Sequence, residues 1–340
     1  MSAPFVVVDA DVLGRNRTGD ETYVLNLLRE LPALAAAAGL RIGAVTRRPD
    51  LVPPGVEAIE LGLRSQELRM AWGLPRALRG AGAALVHTQY ALPVRAPCPV
   101  VVTIHDLSFE RDATLMSGRR RRVFRFVVPR AARGAARILT VSERSKRDIM
   151  ELYGVPAERI VVTPNGVDPV FSPGAPGAHD YVLAVGAIQR RKNQLAALAA
   201  AQAAGLPLVV VGPEKDPAVA AELRERGATL RGYVPVEELA DLYRGAACLV
   251  QASLYEGFGL PVLEAMACGT PVVTVPDAAL LEIVGDAAVV VEAHELVEGI
   301  RRAIAGRAEL SSAGLARAAA FSWKSSAERT LTVYREALER

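Results

Sequence analysis

Short runs of Val, Ile and Leu recur along this chain and alternate with longer segments in which apolar residues recur at helical spacing. A continuous apolar run predicts a strand that is buried on both faces, as in a parallel sheet covered by helices. The predicted strands are 4–9, 41–46, 84–89, 100–105, 137–141 and 159–163, then 181–186, 206–212, 228–233, 248–253, 271–275 and 287–291. This alternation predicts an α/β protein with parallel sheets.

The alternation is interrupted near the middle of the chain, where Phe171–Asp180 is rich in Pro and Gly and predicts a loop. A length of 340 residues suits two domains. We therefore expect two Rossmann-like, doubly wound domains, 1–172 and 173–320, which face a cleft with the carboxyl ends of their strands. A final helix, 321–340, is expected to cross back to the N-terminal domain. Helices are also predicted at 20–31 and 143–153, the latter between Ser142 as N-cap and Gly154.

Charge and cysteine content exclude several classes of protein. The net charge is only +3, which argues against nucleic acid as a partner. Three cysteines without paired spacing argue against a disulfide framework or a zinc site and favour a reducing compartment. We find neither a signal peptide nor an apolar run of membrane-spanning length, so the expected location is the cytoplasm.

The segment from Ala252 to Pro271 carries the strongest functional signal. It follows a predicted strand with a glycine-bearing turn and continues into a helix that Pro261 suits at its start and Gly269 at its end. Exposed amides and the helix dipole favour a phosphate group at such a turn. Glu256 on the turn and Glu264 in the helix can grip hydroxyl groups at two points of one extended ligand. The alternative is a capped strand–loop–helix with two surface acids.

A cation follows the strand that opens the second half of the chain. Lys192 comes after a short loop and precedes a predicted helix. Its positive charge can neutralise a bound diphosphate group. The alternative is a solvated helix start.

Two histidines lie in predicted strands in the first half of the chain. His105 ends the strand 100–105 and precedes Asp106, and His87 lies in the strand 84–89. Because ligands bind at the carboxyl ends of parallel strands, His105 is a candidate site residue. The alternative is a histidine that packs in the core or caps an element. His87 and Asp106 are assigned to the acceptor side.

The motifs together resemble those of the retaining two-domain (GT-B) glycosyltransferases, glycosyltransferase family 4 (glycosyl transferases group 1). Glu256 and Glu264 match the Glu-x7-Glu signature of that family. The other matching elements, in order, are Thr18-Gly19-Asp20, His105-Asp106-Leu107, Val141-Ser142-Glu143, Pro164-Asn-Gly-Val-Asp168, Arg191-Lys192-Asn193 and Gly232-Tyr233. Their joint order along nearly the whole chain makes the resemblance specific.

This resemblance implies roles for the donor-binding residues. Glu256 would lie against the donor hexose, Glu264 would bind the ribose, and Tyr233 and Val234 would lie near the base. Amides of the turn would meet sugar hydroxyls and phosphate, namely those of Gly257, Phe258, Gly259 and Leu260.

The family likeness makes Lys192 the diphosphate clamp, with Arg191 as helper. Many relatives carry an arginine where this chain has Ala187, and Arg190 or Arg191 would take its place. His105 would contact the donor sugar through its side chain or carbonyl.

Close relatives have a glycine pair near the donor phosphates, of which Gly19 remains here. An ordinary turn capped by Asp20 is the alternative reading of that segment.

The implied activity is transfer of a hexose from GDP-mannose or a UDP-hexose, with retention at the anomeric carbon. No cofactor or metal is implied, because Lys192 and helix dipoles would neutralise the diphosphate. The acceptor would be a glycan, a lipid-linked intermediate or a small metabolite. A sugar-nucleotide epimerase of GT-B fold and a non-catalytic sugar-nucleotide-binding protein are the alternatives.

An arginine-rich helical segment, Arg119–Arg137, has apolar residues on one side. A basic amphipathic helix can lie on an anionic membrane, which would place the protein at its inner face. It can equally be a solvated face.

Overall fold

The computed structural model describes residues 3–15, 18–111, 118–175 and 177–339. The chain forms two compact units, which we call the N-terminal unit (Met1–Gly166 with Ser322–Arg340) and the C-terminal unit (Val167–Phe321). The first division falls after Gly166 rather than after residue 172, because Phe171 is buried and packs edge-on against Tyr243 with 5.7 Å between ring centroids. The second falls after Phe321, whose ring packs on Phe258 at 6.1 Å.

A seven-stranded parallel sheet forms the centre of the N-terminal unit, in the order β3-β2-β1-β4-β5-β6-β7. Its strands are β1 Phe5–Asp9, β2 Arg41–Thr46, β3 Glu57–Glu60, β4 Leu85–Gln89, β5 Val100–Thr103, β6 Arg137–Thr140 and β7 Ile160–Val162. Its first helices are α1 Thr18–Ala37, α2 Gln66–Leu68, α3 Leu74–Gly80, α4 Ser108–Arg111, α5 Gly118–Gly134 and α6 Glu143–Tyr153. A π-helical turn, Arg69–Gly73, joins α2 to α3.

The C-terminal unit has a six-stranded parallel sheet in the order β10-β9-β8-β11-β12-β13. Its strands are β8 Val182–Val185, β9 Leu208–Val211, β10 Thr229–Gly232, β11 Cys248–Gln251, β12 Val272–Thr274 and β13 Val289–Val290. Its helices are α7 Gln194–Ala203, α8 Pro217–Glu225, α9 Val236–Gly245, α10 Leu260–Ala267, α11 Ala278–Val284, α12 Leu296–Ala305 and α13 Arg307–Ala318. Val, Leu, Ile and Ala side chains from both layers form its core.

The last helix, α14 Trp323–Leu338, packs in the N-terminal unit against α1 and the strands β4, β5 and β6. The Ser322 hydroxyl caps it by accepting from the Ser325 amide at 3.1 Å. Ala327, Thr330 and Tyr334 are completely buried along its inner face. The N-terminal core is therefore completed by a segment from the far end of the chain.

Each predicted strand is found, and most of them are runs of buried apolar residues, although β10 is only partly buried. The edge strand β3 was missed, since its sequence Glu-Ala-Ile-Glu is polar and largely exposed. Charged residues on an edge strand discourage pairing with other chains, and they also remove the hydrophobic signal. The predicted helix 143–153 is confirmed with both ends: the Ser142 hydroxyl accepts from the Ser145 amide at 3.1 Å, and Gly154 has a φ of 66°.

Candidate active site

The sheet of the C-terminal unit changes its direction of winding between β8 and β11. Strands β9 and β10 extend to one side of β8, whereas β11, β12 and β13 extend to the other. Loops that leave the carboxyl ends of two such neighbouring strands diverge and open a crevice, where ligands of α/β sheets bind. The predicted residues Lys192 and Glu256 come from the loops after β8 and β11, so the topology places both at this point.

Glu256 is buried, with 5% of its surface exposed, and it is surrounded by donors. The Lys192 ammonium lies 2.5 Å from its Oε1, and Arg191 Nη1 lies 3.3 Å from its Oε2. The Gln251 side-chain amide also donates to Oε1, at 2.6 Å. The carboxylate is thus held by two cations and a neutral donor.

These neighbours decide the charge of Glu256. Burial raises the pKa of its carboxyl, but Lys192 and Arg191, with hydrogen bonds from Lys192 and Ser253, outweigh burial and lower the pKa to about 2. Glu256 is therefore ionised at neutral pH. The site holds a permanent negative charge beside two positive ones.

A tight turn positions the two cations, Arg191 and Lys192. Arg190–Lys192 forms one turn of 3-10 helix, and Asn193, with a φ of 51°, starts α7. Arg191 donates to the Tyr255 carbonyl at 2.7 Å, which ties the two loops together. Arg190 is turned away: its side chain is 74% exposed and lies 3.9 Å from Asp216. Of the two arginines expected to replace the one missing at Ala187, Arg191 is the one at the site.

The glycine turn after Glu256 leads directly into α10. Gly257 and Phe258 are buried, and Gly259, with a φ of 121°, precedes Leu260 at the helix start. A Cβ atom on Gly259 would lie 2.7 Å from the side chain of Leu280, so both backbone conformation and space require glycine here. Pro261 lies in the first turn of α10, as predicted.

Glu264 on α10 has a different environment from Glu256. It is 9% exposed, and its Oε2 accepts from the Tyr243 hydroxyl at 2.7 Å. Burial raises its pKa to about 7, an effect that the Tyr243 hydrogen bond opposes and the negative charge of Asp168 reinforces. In the described part of the chain, no cation forms an ion pair with Glu264. The two signature carboxyls therefore have their pKa values moved in opposite directions.

Tyr233 and Val234 follow β10, as expected. The Tyr233 side chain is 63% exposed, and it can offer a ring face to a planar ligand. Val234 is only 8% exposed, so its side chain packs inside the unit rather than presenting a contact surface. Their proximity to a base stays a prediction.

In the N-terminal unit, His105 follows β5 and is partly buried. Its Nε2 lies 3.1 Å from Gln89 Oε1, its ring packs edge-on against Tyr23 at 4.8 Å, and its carbonyl accepts from the Ser145 hydroxyl at 2.9 Å. Burial lowers the pKa of His105 below its usual value, and the opposing effects of Asp20 and Asp106 are smaller. His105 is firmly positioned, and its role beside the donor hexose stays a prediction.

His87 does not line an acceptor surface, contrary to expectation. It lies inside β4 with 1% of its surface exposed. Its Nδ1 is 2.6 Å from the Tyr334 hydroxyl, and its Nε2 is 2.6 Å from Thr103 Oγ1. Burial, with a smaller effect of His105, lowers its pKa to about 3. His87 is a neutral core residue that links α14 to the sheet.

Two further predicted residues occupy helix starts. Asp106 Oδ1 accepts from the Ser108 amide at 3.1 Å and from its hydroxyl at 2.9 Å, so this carboxylate caps α4. That contact gives Asp106 a local structural function, and its place on the acceptor side stays a prediction. Gly19 lies in the first turn of α1, and a Cβ there would meet no atom within 4 Å. Residues 16 and 17 lie outside the described residues.

The arginine-rich segment forms α5 and continues into β6. Apolar Val123 and Phe126 are 48% and 58% exposed on this helix. The Arg130 guanidinium lies 3.4 Å from the centre of the Phe126 ring. The helix thus presents apolar side chains and cations together.

Metal-binding clusters and membrane-spanning helices are both absent from the residues that the structure describes. No group of three His, Cys, Asp or Glu side chains there is arranged to hold a metal ion. None of the helices described combines the length and hydropathy that a membrane span requires.

Sequence reasoning missed the residues that support the two glutamates. Asp277 Oδ2 accepts from the Glu256 amide at 3.3 Å, while its Oδ1 caps α11. Gln251 and Tyr243 donate to the two carboxyls. Asp277 could have been recognised as an N-cap before Ala278, but its second contact depends on tertiary structure.

Two family profiles match the chain. Residues 17–171 match "Glycosyltransferase Family 4", and residues 170–317 match "Glycosyl transferases group 1". The two matches meet at residues 170–171, a few residues after the division between the two units at Gly166.

Similar proteins agree with these matches. The chain is 33% identical to O-antigen chain mannosyltransferase B of Escherichia coli over 78% of its own length and 77% of that protein. Sucrose-phosphate synthase from Thermosynechococcus elongatus superposes with a TM-score of 0.78 at 22% identity, covering 98% of each chain. Anabaena HepE in complex with UDP-glucose superposes with a TM-score of 0.75 at 18% identity, covering 98% of this chain and 99% of that one. The two parallel-sheet units and these neighbours establish the GT-B fold.

Proposed function

Because this chain belongs to the glycosyl transferases group 1, glycosyltransferase family 4, we propose that it transfers a hexose from a nucleoside diphosphate sugar to a glycan, lipid-linked or small-molecule acceptor with retention at the anomeric carbon. The observation that carries this proposal is the convergence of Lys192, Arg191 and Glu256 at the switch point of the C-terminal sheet. The expected glycosyltransferase activity agrees with the mannosyltransferase relative and is favoured over an epimerase or a binding protein.

Lys192 and Arg191 supply the charge that the leaving group needs. Cleavage of a nucleotide sugar releases a diphosphate, on which negative charge increases in the transition state. Two cations that are 11% and 15% exposed act in a low-dielectric site, where their effect exceeds that in water. We assign both to the diphosphate, with the amides at the start of α10 as further donors.

Glu256 is assigned to the hexose. Its low pKa keeps it ionised, so it can accept from sugar hydroxyls and oppose the positive charge that develops at the anomeric carbon. We assign it no covalent bond with the sugar. Attack by the acceptor on the face from which the diphosphate departs then retains configuration, with the leaving oxygen taking the acceptor proton.

The donor is proposed to be GDP-mannose or a UDP-hexose. The first is supported by the mannosyltransferase relative, and the second by the complex of HepE with UDP-glucose. The test is hydrolysis and transfer across a panel of nucleotide sugars, with NMR of the product. Release of nucleoside diphosphate with retained configuration supports the proposal. Epimerised nucleotide sugar, or binding without turnover even when acceptors are supplied, contradicts it.

We also propose that this activity requires no metal. The supporting observation is that Lys192 and Arg191 already provide two positive charges at the site. Transfer is expected to persist in excess EDTA. Complete loss that Mg²⁺ or Mn²⁺ restores would refute this part of the proposal.

The exposed face of α5 is proposed to contact anionic lipid at the inner face of the membrane. Exposed Val123 and Phe126 lie among arginines, a combination that suits the headgroup region. Sedimentation with phosphatidylglycerol vesicles at low and high salt is the test, with Val123→Ser/Phe126→Ser as the variant. Salt-sensitive binding that the variant loses is expected. Absence of binding at low salt leaves α5 as a solvated face.

A further inference from the structure

Tyr243 lies at the centre of a group of contacts that the functions proposed above do not use. Its side chain is completely buried on α9, and its hydroxyl donates to Glu264 Oε2 at 2.7 Å. Phe171 packs edge-on against its ring at 5.7 Å, and the Thr270 hydroxyl donates to its carbonyl at 2.7 Å. Ring and backbone are therefore both fixed, and so is the direction of the hydroxyl.

One oxygen of the Glu264 carboxyl is engaged and the other is not. Within the ranges that the structure describes, we find no hydrogen bond from a donor to Glu264 Oε1. A carboxylate on a helix turns about its terminal bond unless a neighbour holds it, because the terminal torsion of Glu is broad. The Tyr243 hydroxyl removes that freedom and leaves Oε1 as the oxygen able to accept from a ligand.

We propose that Tyr243 is a positioning residue for nucleotide recognition: by holding Glu264 Oε2, it presents Oε1 to a ribose hydroxyl. This inference rests on the proposed function, since it assumes that Glu264 receives the ribose. Preorganised acceptors bind more tightly because less freedom is lost on binding. Tyr243 itself touches no substrate in this arrangement.

The charged and titratable groups around Glu264 make the arrangement sensitive to pH. Tyr243 faces it from α9, Asp168 from the segment that opens the C-terminal unit, and Cys268 from the residue after α10. Burial and Asp168 raise the pKa of Glu264 to about 7, and the Tyr243 hydrogen bond restrains that rise. Removal of the hydroxyl is therefore expected to raise this pKa further and to move the pH dependence of nucleotide binding to higher pH.

The test compares Tyr243→Phe with the wild type by calorimetry. The probes are UDP and GDP, each with its 2′-deoxy and 3′-deoxy analogues. We expect the wild type to prefer at least one ribonucleotide over a deoxy analogue by about tenfold, the discrimination that one hydrogen bond to a charged group provides. In Tyr243→Phe this preference should fall severalfold, with the midpoint of the pH profile shifted upward.

A matched control is Tyr181→Phe. The Tyr181 hydroxyl donates to the Leu242 carbonyl at 2.7 Å on the same helix α9, without contacting Glu264. Both variants lose one phenolic hydrogen bond, so a general loosening of the helix would affect them alike. The ribose preference should change only in Tyr243→Phe, and adding Glu264→Gln should abolish that difference.

The outcomes separate this inference from the proposed function. If the wild type binds neither UDP nor GDP, the proposed function fails. If it binds one and prefers the ribonucleotide, but Tyr243→Phe retains the full preference and the same pH midpoint, the positioning role of Tyr243 is wrong. Should Tyr243→Phe not fold, Glu264→Gln and Glu264→Asp serve instead: an unchanged ribose preference in both overturns the inference.

Discussion

The Lys192 ammonium lies 2.5 Å from Glu256 Oε1 although the two residues are 64 positions apart in the sequence. Both side chains are nearly buried, at 11% and 7% exposure. A buried pair of opposite charges costs desolvation energy, so it is weak evidence of a purely stabilising role. In the proposed function, a donor diphosphate would share the Lys192 charge with Glu256, so that this one ion pair would contact both the diphosphate and the hexose.

Replacing Lys192 by Ala is expected to reduce both turnover and stability. The substitution removes one of the two cations assigned to the diphosphate and leaves Arg191, with the neutral donors Gln251 and Ser253, around the buried Glu256. Breaking a buried ion pair costs about 3–5 kcal/mol, and loss of a leaving-group cation lowers kcat. Donor hydrolysis and chemical denaturation measure the two effects. The control Arg190→Ala, at an exposed position, should change neither; equal effects in both variants would remove Lys192 from the site.

Glu256→Gln and Glu264→Gln are expected to impair different properties of the enzyme, turnover in the first and nucleotide affinity in the second. Loss of the Glu256 charge removes an interaction that strengthens in the transition state, so kcat should fall. Loss of Glu264 should mainly weaken nucleotide affinity, by about 1.5–3 kcal/mol for a charged acceptor. Steady-state kinetics and calorimetry with the nucleoside diphosphate distinguish them. The reverse pattern would exchange the two roles, and no change in either would move the active site elsewhere.

The opposite pKa changes of the two glutamates predict how stability depends on pH. The Glu264 carboxyl binds its proton more tightly in the folded state, with a pKa of about 7 against 4.5. Its contribution to stability is therefore complete below pH about 4.5 and is lost as pH rises through about 7, an effect of about 3 kcal/mol.

Glu264→Gln should accordingly become more stable relative to wild type between pH 5 and pH 8 (roughly the window set by those values). Glu256→Gln provides the comparison, because its lowered pKa gives stability that is present above pH about 4.5 and lost only as pH falls through about 2. Its difference from wild type should stay constant over the same window. Urea denaturation at several pH values measures both, and parallel curves for all three proteins would contradict the assignment.

Tyr334→Phe is expected to destabilise the N-terminal unit without affecting nucleotide binding. It leaves His87 Nδ1 without its partner in a completely buried position, at a cost of about 1–3 kcal/mol. Thr332→Ala on the exposed face of α14 is the matched control and should be close to neutral. Thermal denaturation with and without nucleoside diphosphate tests this. A large loss of affinity in Tyr334→Phe would mean that His87 has a function beyond the core.

The elements that could be predicted are those whose local sequence has a clear hydrophobic pattern. Buried strands such as β5 and β11 can be recognised in the sequence as apolar runs. Both ends of α6 can be recognised from its capping residues. Strand β3 carries no such run, because an edge strand exposes most of its residues. The position of Phe171 in the C-terminal unit was hidden as well, since its burial depends on Tyr243 in a distant helix.

The candidate residues of the site could be named from the sequence, but the contacts between them could not. Glu256, Glu264 and Lys192 stand in recognisable motifs, but nothing in their spacing says that Lys192 reaches Glu256 or that Tyr243 reaches Glu264. His87 shows the opposite error. Like His105, His87 lies near the carboxyl end of a predicted strand, where a ligand could bind. Only its contacts with Tyr334 and Thr103 show that it is a core residue.

The placement of α14 has a consequence for synthesis on the ribosome. Domains generally fold in the order in which they emerge, the N-terminal one first. Here the C-terminal unit is one continuous segment, Val167–Phe321, whereas the N-terminal unit lacks α14 until residues 322–340 have been synthesised. Until then, the surfaces of α1 and β4 that receive α14, and the Tyr334 partner site on His87, have no cover. The later-made unit can therefore reach its native state first, and a nascent chain stalled before residue 323 would carry an incomplete N-terminal core.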